Sequence, residues 1–77
     1  LSLLNNEFTL MVARRMAERL KNEEPEPRAQ IRRGFELVSG RAPTDSEQQH
    51  LSAYVEQHGL VNLCRVLVNL SEFVFVD

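Results

Sequence analysis

The chain has 77 residues, of which 43% are apolar and 26% are charged, and its formal net charge is −2. A chain of this length forms one domain, spanning residues 1–77, and this composition excludes a wholly disordered protein. The slightly acidic balance gives no general attraction to nucleic acid. No apolar run approaches the roughly 20 residues that span a bilayer, so membrane insertion by this segment is not expected.

The first predicted helix begins behind Asn5 and Asn6, which are good capping residues, and ends near Lys21. Apolar residues at three- and four-residue spacing mark one of its faces, which we expect to be buried. They are Phe8, Met11, Val12, Met16 and Leu20. Residues 22–27 combine two prolines with three glutamates and are predicted to form a solvated acidic linker.

The second predicted helix extends from about Arg28 to Ser39. Its apolar stripe consists of Ile31, Phe35 and Val38, with Leu37 alongside. Gly34 allows a neighbouring helix to approach closely. Gly40 stands where a residue of left-handed conformation often ends a helix, and Pro43 prevents the helix from continuing.

The sequence from Thr44 to Glu47 has the pattern of a capping box and predicts the start of a third helix. Leu51, Tyr54 and Val55 form its expected buried face, and Gly59 ends it near His58. A fourth helix is predicted from about Leu60 to Leu70, and its many apolar residues predict the most central position. The fold class is therefore all-α, a compact bundle of about four short helices.

Few residues in the chain suggest chemistry. His50 and His58 are separated by about two helical turns, too far to share a metal ion, and His58 with Cys64 lacks a third ligand. Cys64 cannot form an internal disulfide and is predicted to be a small buried residue. We assign no catalytic, cofactor-binding or metal-binding residue, and we expect no metal, haem or nucleotide cofactor.

The second and third predicted helices are joined by a tight turn that contains a glycine, which suggests a DNA-binding helix-turn-helix. The third helix carries Asp45, Glu47 and Glu56 and has no lysine or arginine. A recognition helix needs cationic neighbours for the phosphates, so nucleic-acid binding is not expected.

The last residues, Phe73 to Asp77, place four apolar side chains at the end of the sequence. In an extended chain Phe73 and Phe75 face one side, and we expect them to pack on the bundle near Phe8 and the fourth helix. Val74 and Val76 face the other side and are the candidate interaction surface. The alternative is a tail wholly absorbed into the local core.

Three segments, residues 3–8, 40–47 and 63–77, resemble in order and spacing the C-terminal part of planctomycete-specific domain one. This is a domain of unknown function in large proteins that often carry cytochrome-c-like segments upstream and appear to be exported. The resemblance implies an exported or periplasmic location and no known activity for any residue here.

We therefore expect a structural or protein-interaction helical module at the C-terminus of a large exported protein. The chain opens with Leu1 and no methionine, which suggests an excised fragment. Expected partners are the upstream part of the parent protein or a second copy. The alternative is an accessory wall or lid of an enzyme whose catalytic residues lie upstream.

Overall fold

Four α-helices follow one another along the chain. This computed structural model describes residues 7–74, and the surroundings of the side chains for residues 7–70. The helices are α1 (Glu7–Glu23), α2 (Pro27–Ser39), α3 (Asp45–His58) and α4 (Leu60–Val74). Within residues 7–74 there is no strand, so the predicted all-α class is confirmed.

Helix α4 lies at the centre of the bundle, as its apolar sequence predicts. It packs against α1, α2 and α3, whereas α1 and α3 are not in contact within the described part of the chain. The core is made of small and medium apolar side chains from α1, α2 and α4. Its buried members are Ala13, Ala17, Leu20, Ile31, Leu60, Leu63, Cys64 and Leu67.

The buried face of α1 differs in part from the predicted one, because Leu20 and Met16 do pack in or against the core but Phe8 and Met11 do not. Thr9, Ala13, Ala17 and Leu20 are buried. Phe8 and Met11 are instead 67% and 44% exposed. Helical spacing does not distinguish two neighbouring stripes on one helix, and the stripe that is buried here contains the small residues Ala13 and Ala17. Alanine lets helix backbones come close, and α1 uses this face to approach α4.

Helix α2 makes the close approach that Gly34 predicts. A Cβ atom added to Gly34 would lie 3.1 Å from Cδ1 of Leu20 and 3.4 Å from Cδ1 of Leu67. The glycine is itself buried, and Ile31 on the preceding turn is also buried. Gly34 thus provides room for leucines of both α1 and α4 at the middle of the core.

Two predicted helix ends were too early. Helix α1 extends to Glu23, where the Glu24 N–H still donates to the Leu20 carbonyl at 2.9 Å before Pro25 stops the helix. Helix α4 continues to Val74 because neither glycine nor proline follows Leu70. Phe73 and Val74 are therefore helical, which corrects the extended conformation expected for them.

The glycines at two helix ends have positive φ angles. Gly40 has φ 78° and ψ 5°, and its N–H donates to the Glu36 carbonyl at 2.9 Å, as predicted for a left-handed cap. Gly59 has φ 89° and ψ 161°, and its N–H donates to the Val55 carbonyl at 2.8 Å. Its own carbonyl accepts from the Leu63 N–H at 3.2 Å, so one residue ends α3 and begins α4.

Candidate functional site

The turn between α2 and α3 contains the densest polar cluster of the described chain. The capping box is formed in both directions: the Glu47 N–H donates to Thr44 Oγ1 at 3.1 Å, and the Thr44 N–H donates to Glu47 Oε1 at 2.9 Å. Arg41 adds a bidentate pair to the same carboxylate, with Nη1–Oε1 at 2.8 Å and Nη2–Oε2 at 2.9 Å. Its guanidinium carbon lies 5.0 Å from the centre of the Phe35 ring.

Both carboxylate oxygens of Glu47 accept hydrogen bonds from residues of the turn. The hydrogen bond from Arg41, followed by that from the Thr44 backbone, lowers the pKa of Glu47 from 4.5 to about 2. The same hydrogen bond raises the pKa of Arg41. A carboxylate that is ionised and occupied on both oxygens is a poor general acid or base at neutral pH. The turn cluster therefore stabilises the connection between α2 and α3.

The residues weighed for metal binding are not brought together. Cys64 is fully buried, and burial raises the pKa of its thiol to about 11, so it stays protonated at neutral pH. His58 is exposed and packs its ring against Tyr54, with the centroids 4.6 Å apart. Among the described residues, no three histidine, cysteine or acidic side chains lie close enough to hold a metal ion.

The acidic segment between α1 and α2 is more structured than predicted. Glu23 belongs to α1 and accepts a hydrogen bond from Arg19 Nε at 2.7 Å, which is the largest cause of its lowered pKa. Its other oxygen lies 3.6 Å from Arg33 Nε of α2. Glu23 therefore links the two helices across the loop, a role that spacing along the sequence does not reveal.

The buried polar side chain of Gln48 was also missed. It is 4% exposed, and its Nε2 donates to the Arg28 carbonyl at the start of α2, 3.3 Å away. A glutamine in the first turn of a helix ordinarily faces solvent, so only the tertiary arrangement reveals this link. The hydrogen bond of Gln48 thus links α3 to α2 at a second place besides the turn cluster.

An open groove of about 810 Å³ extends along the outer face of α1. Its apolar part is formed by Leu10, Met11 and Ala17 of α1 and by Val61 of α4. Its charged part is formed by five side chains of α1. These are Glu7, Arg14, Arg15, Glu18 and Lys21. We call this feature the α1 groove.

The predicted interaction surface lies at the edge of the described chain. Val74 is the last residue of α4, and Val76 lies outside the described residues. The packing expected for Phe73 and Phe75 near Phe8 likewise falls on side chains that are not described. The contact of Val74 and Val76 with a partner stays a prediction.

Comparison with protein families gives a match over most of the chain. The model of PSD1, described as a protein of unknown function (DUF1553), matches residues 1–55. The chain belongs to this family. Neither a curated protein nor a solved structure matches it significantly.

The PSD1 match covers α1, α2, the turn cluster and α3 as far as Val55. Two of the three segments that suggested the resemblance, residues 3–8 and 40–47, fall inside it, and the third, residues 63–77, lies beyond it. Membership in this family of unknown function confirms the resemblance. Among residues 7–74, no helix is long and apolar enough to cross a membrane.

Proposed function

We propose that this PSD1 chain is a helical interaction module. In this proposal it forms the C-terminal part of a large exported protein, and it contacts either the upstream part of that protein or a second copy. The observation that carries the proposal is the exposed apolar pair of α1, Phe8 and Met11, which lie one helical turn apart. It points away from the core of the bundle, while a different face of the same helix is buried.

The contrast between the two faces of α1 supports this function. Ala13 and Ala17 pack inside, while Phe8 and Met11 expose large apolar surfaces. Leu70 of α4 is a further exposed apolar side chain, with 53% of its surface accessible. Isolated exposed apolar residues are common, but Met11 also lines the α1 groove with Leu10 and Val61 beside charged side chains. An apolar patch rimmed by polar residues is typical of a contact surface.

A binding measurement tests the proposal. The 77-residue chain and the separately expressed remainder of its parent protein are mixed in a calorimeter, and self-association of the chain is followed by sedimentation equilibrium. We expect one of the two associations with a Kd below about 0.1 mM. The absence of both at that concentration would contradict an interaction role.

The same material separates the module from the alternative, an accessory wall or lid of an enzyme. Deleting residues 1–77 from the parent protein removes the contact in either case. A lid is indicated when deletion abolishes a turnover that the parent catalyses while its assembly state is unchanged. A module is indicated when assembly or stability changes and any turnover remains.

A further inference from the structure

Of the nine basic residues of the chain, four form ion pairs with glutamates and three others line the α1 groove. Four arginines form ion pairs with glutamates: Arg19 with Glu23 at 2.7 Å, Arg32 with Glu36 at 3.4 Å, Arg33 with Glu23 and Glu36 at 3.6 and 3.9 Å, and Arg41 with Glu47 at 2.8 Å. Within the described part of the chain, Arg14, Arg15 and Lys21 form no such pair. All three line the α1 groove.

The distribution of charge along the groove is asymmetric. Glu7 lies at the N-terminal end of α1, and Glu18 lies between the cations. From Arg14 to Lys21 the lining therefore has three positive side chains and one negative one. The apolar residues Leu10, Met11 and Val61 lie beside them.

The shape of the groove suits a helix. The residues of α1 that line it recur at three- and four-residue spacing from Glu7 to Lys21, which corresponds to about 21 Å along the helix axis. An amphipathic helix of about 14 residues has the same length and presents its apolar side chains with the same spacing. Its flanking acidic residues would meet Arg14, Arg15 and Lys21.

We propose that the α1 groove binds an acidic amphipathic helix of the upstream part of the parent protein. The inference rests on the proposed interaction function and adds the surface and the chemistry of the partner. Apolar side chains of the partner pack against Leu10, Met11 and Val61. Its carboxylates pair with the three cations that have no glutamate partner within the described residues. This pairing fixes the direction in which the partner helix lies, because Glu7 repels acidic residues at the other end.

The test uses three labelled synthetic peptides of 14 residues, which share leucines at positions 1, 4, 8 and 11. Their flanking residues are glutamate, glutamine or lysine, and binding to the 77-residue chain is measured by fluorescence anisotropy. We expect the glutamate peptide to bind about tenfold more tightly than the glutamine peptide, and the lysine peptide not to saturate. Raising the salt from about 0.1 M to about 1 M shortens the Debye length from about 10 Å to about 3 Å and should remove most of the difference.

Two matched variants locate the site. The double variant Arg14→Glu, Arg15→Glu should weaken binding of the glutamate peptide by about tenfold or more. The control variant Arg28→Glu, Arg32→Glu makes the same total charge change at exposed positions outside the groove and should leave the affinity within about twofold. Circular dichroism checks that both variants stay helical. The inference is overturned if Arg14→Glu, Arg15→Glu stays helical and binds the glutamate peptide as tightly as the unchanged chain does.

Failure of this inference differs from failure of the proposed function. If the Arg14→Glu, Arg15→Glu variant associates with the remainder of the parent protein as tightly as the unchanged chain does, the acidic helix is overturned. The proposed interaction module then still stands. Equal binding of all three peptides likewise overturns the assigned chemistry and supports a purely apolar contact. The absence of peptide binding up to about 1 mM overturns the inference in the same way.

Discussion

The turn between α2 and α3 joins residues at most six positions apart, from Arg41 to Glu47, through hydrogen bonds of 2.8–3.1 Å. The interface of α1 with α4 joins the first helix to the last, and the buried apolar side chains of these helices are alanines and leucines with Cys64. Arg41 and Thr44 of the turn are exposed, whereas Ala13, Leu63 and Cys64 of the interface are buried. One region owes its conformation to local chemistry and the other to packing.

This difference decides how a substitution acts in each region. In the turn, backbone angles and three side-chain oxygens of Thr44 and Glu47 fix the geometry, so the chemical identity of a residue matters more than its volume. At the interface, the space between backbones is filled at close to crystal density, so the volume of a side chain matters most. Four measurements test this contrast.

The largest effect is expected from filling the interface. Ala13 is fully buried, so Ala13→Leu forces α1 away from its neighbours and should lower the free energy of unfolding by about 1–3 kcal/mol. Met11→Leu, on the exposed face of the same helix, should change it by less than about 0.5 kcal/mol. Urea unfolding measures both, and equal effects would mean that the face of α1 is assigned wrongly.

Gly40 tests whether conformation alone controls the turn. A Cβ atom at this position meets nothing within 4 Å, so a larger residue costs no space. Gly40→Val should still cost about 1–2 kcal/mol, because a β-branched residue resists the φ angle of 78°. Gly40→Asn, which tolerates positive φ, should cost clearly less in the same unfolding measurement. Similar losses in the two variants would contradict a conformational cause.

The cap of α3 gives a smaller effect. Thr44→Ala removes the acceptor for the Glu47 N–H and should cost roughly 1 kcal/mol. Thr44→Ser keeps the hydroxyl and should retain most of the stability in thermal unfolding. A serine variant as unstable as the alanine variant would show that the methyl group, and not the cap, stabilises the turn.

The smallest effect is expected from pH, because the groups involved are exposed to solvent. The pKa of Glu47 is about 2 in the folded chain against an ordinary 4.5, so its contribution to stability is complete above pH 4.5 and is lost as the pH falls from 4.5 towards 2. The difference in free energy of unfolding between the unchanged chain and Glu47→Gln should therefore become smaller as the pH falls over this interval. Unfolding curves at several pH values measure this difference, and a difference independent of pH would contradict the pairing with Arg41.

The contrast also explains which features the sequence predicts. Gly40, Thr44 and Glu47 encode the turn within a few residues, and each predicted contact is present. The buried face of α1 depends on which stripe best fits α4, and this information lies some forty residues away. The links made by Glu23 and Gln48 have the same origin. The α1 groove was missed because it consists of side chains left over after the core face is chosen.

Gly59 is the single residue between α3 and α4. The length of this connection therefore determines which side of α4 faces the other helices. Each residue of an α-helix turns about 100° around its axis, so one residue inserted beside Gly59 would turn the apolar side of α4 away from its partners. Leu60, Leu63, Cys64 and Leu67 would move with it. We therefore expect sequences with this fold to keep a fixed length between α3 and α4.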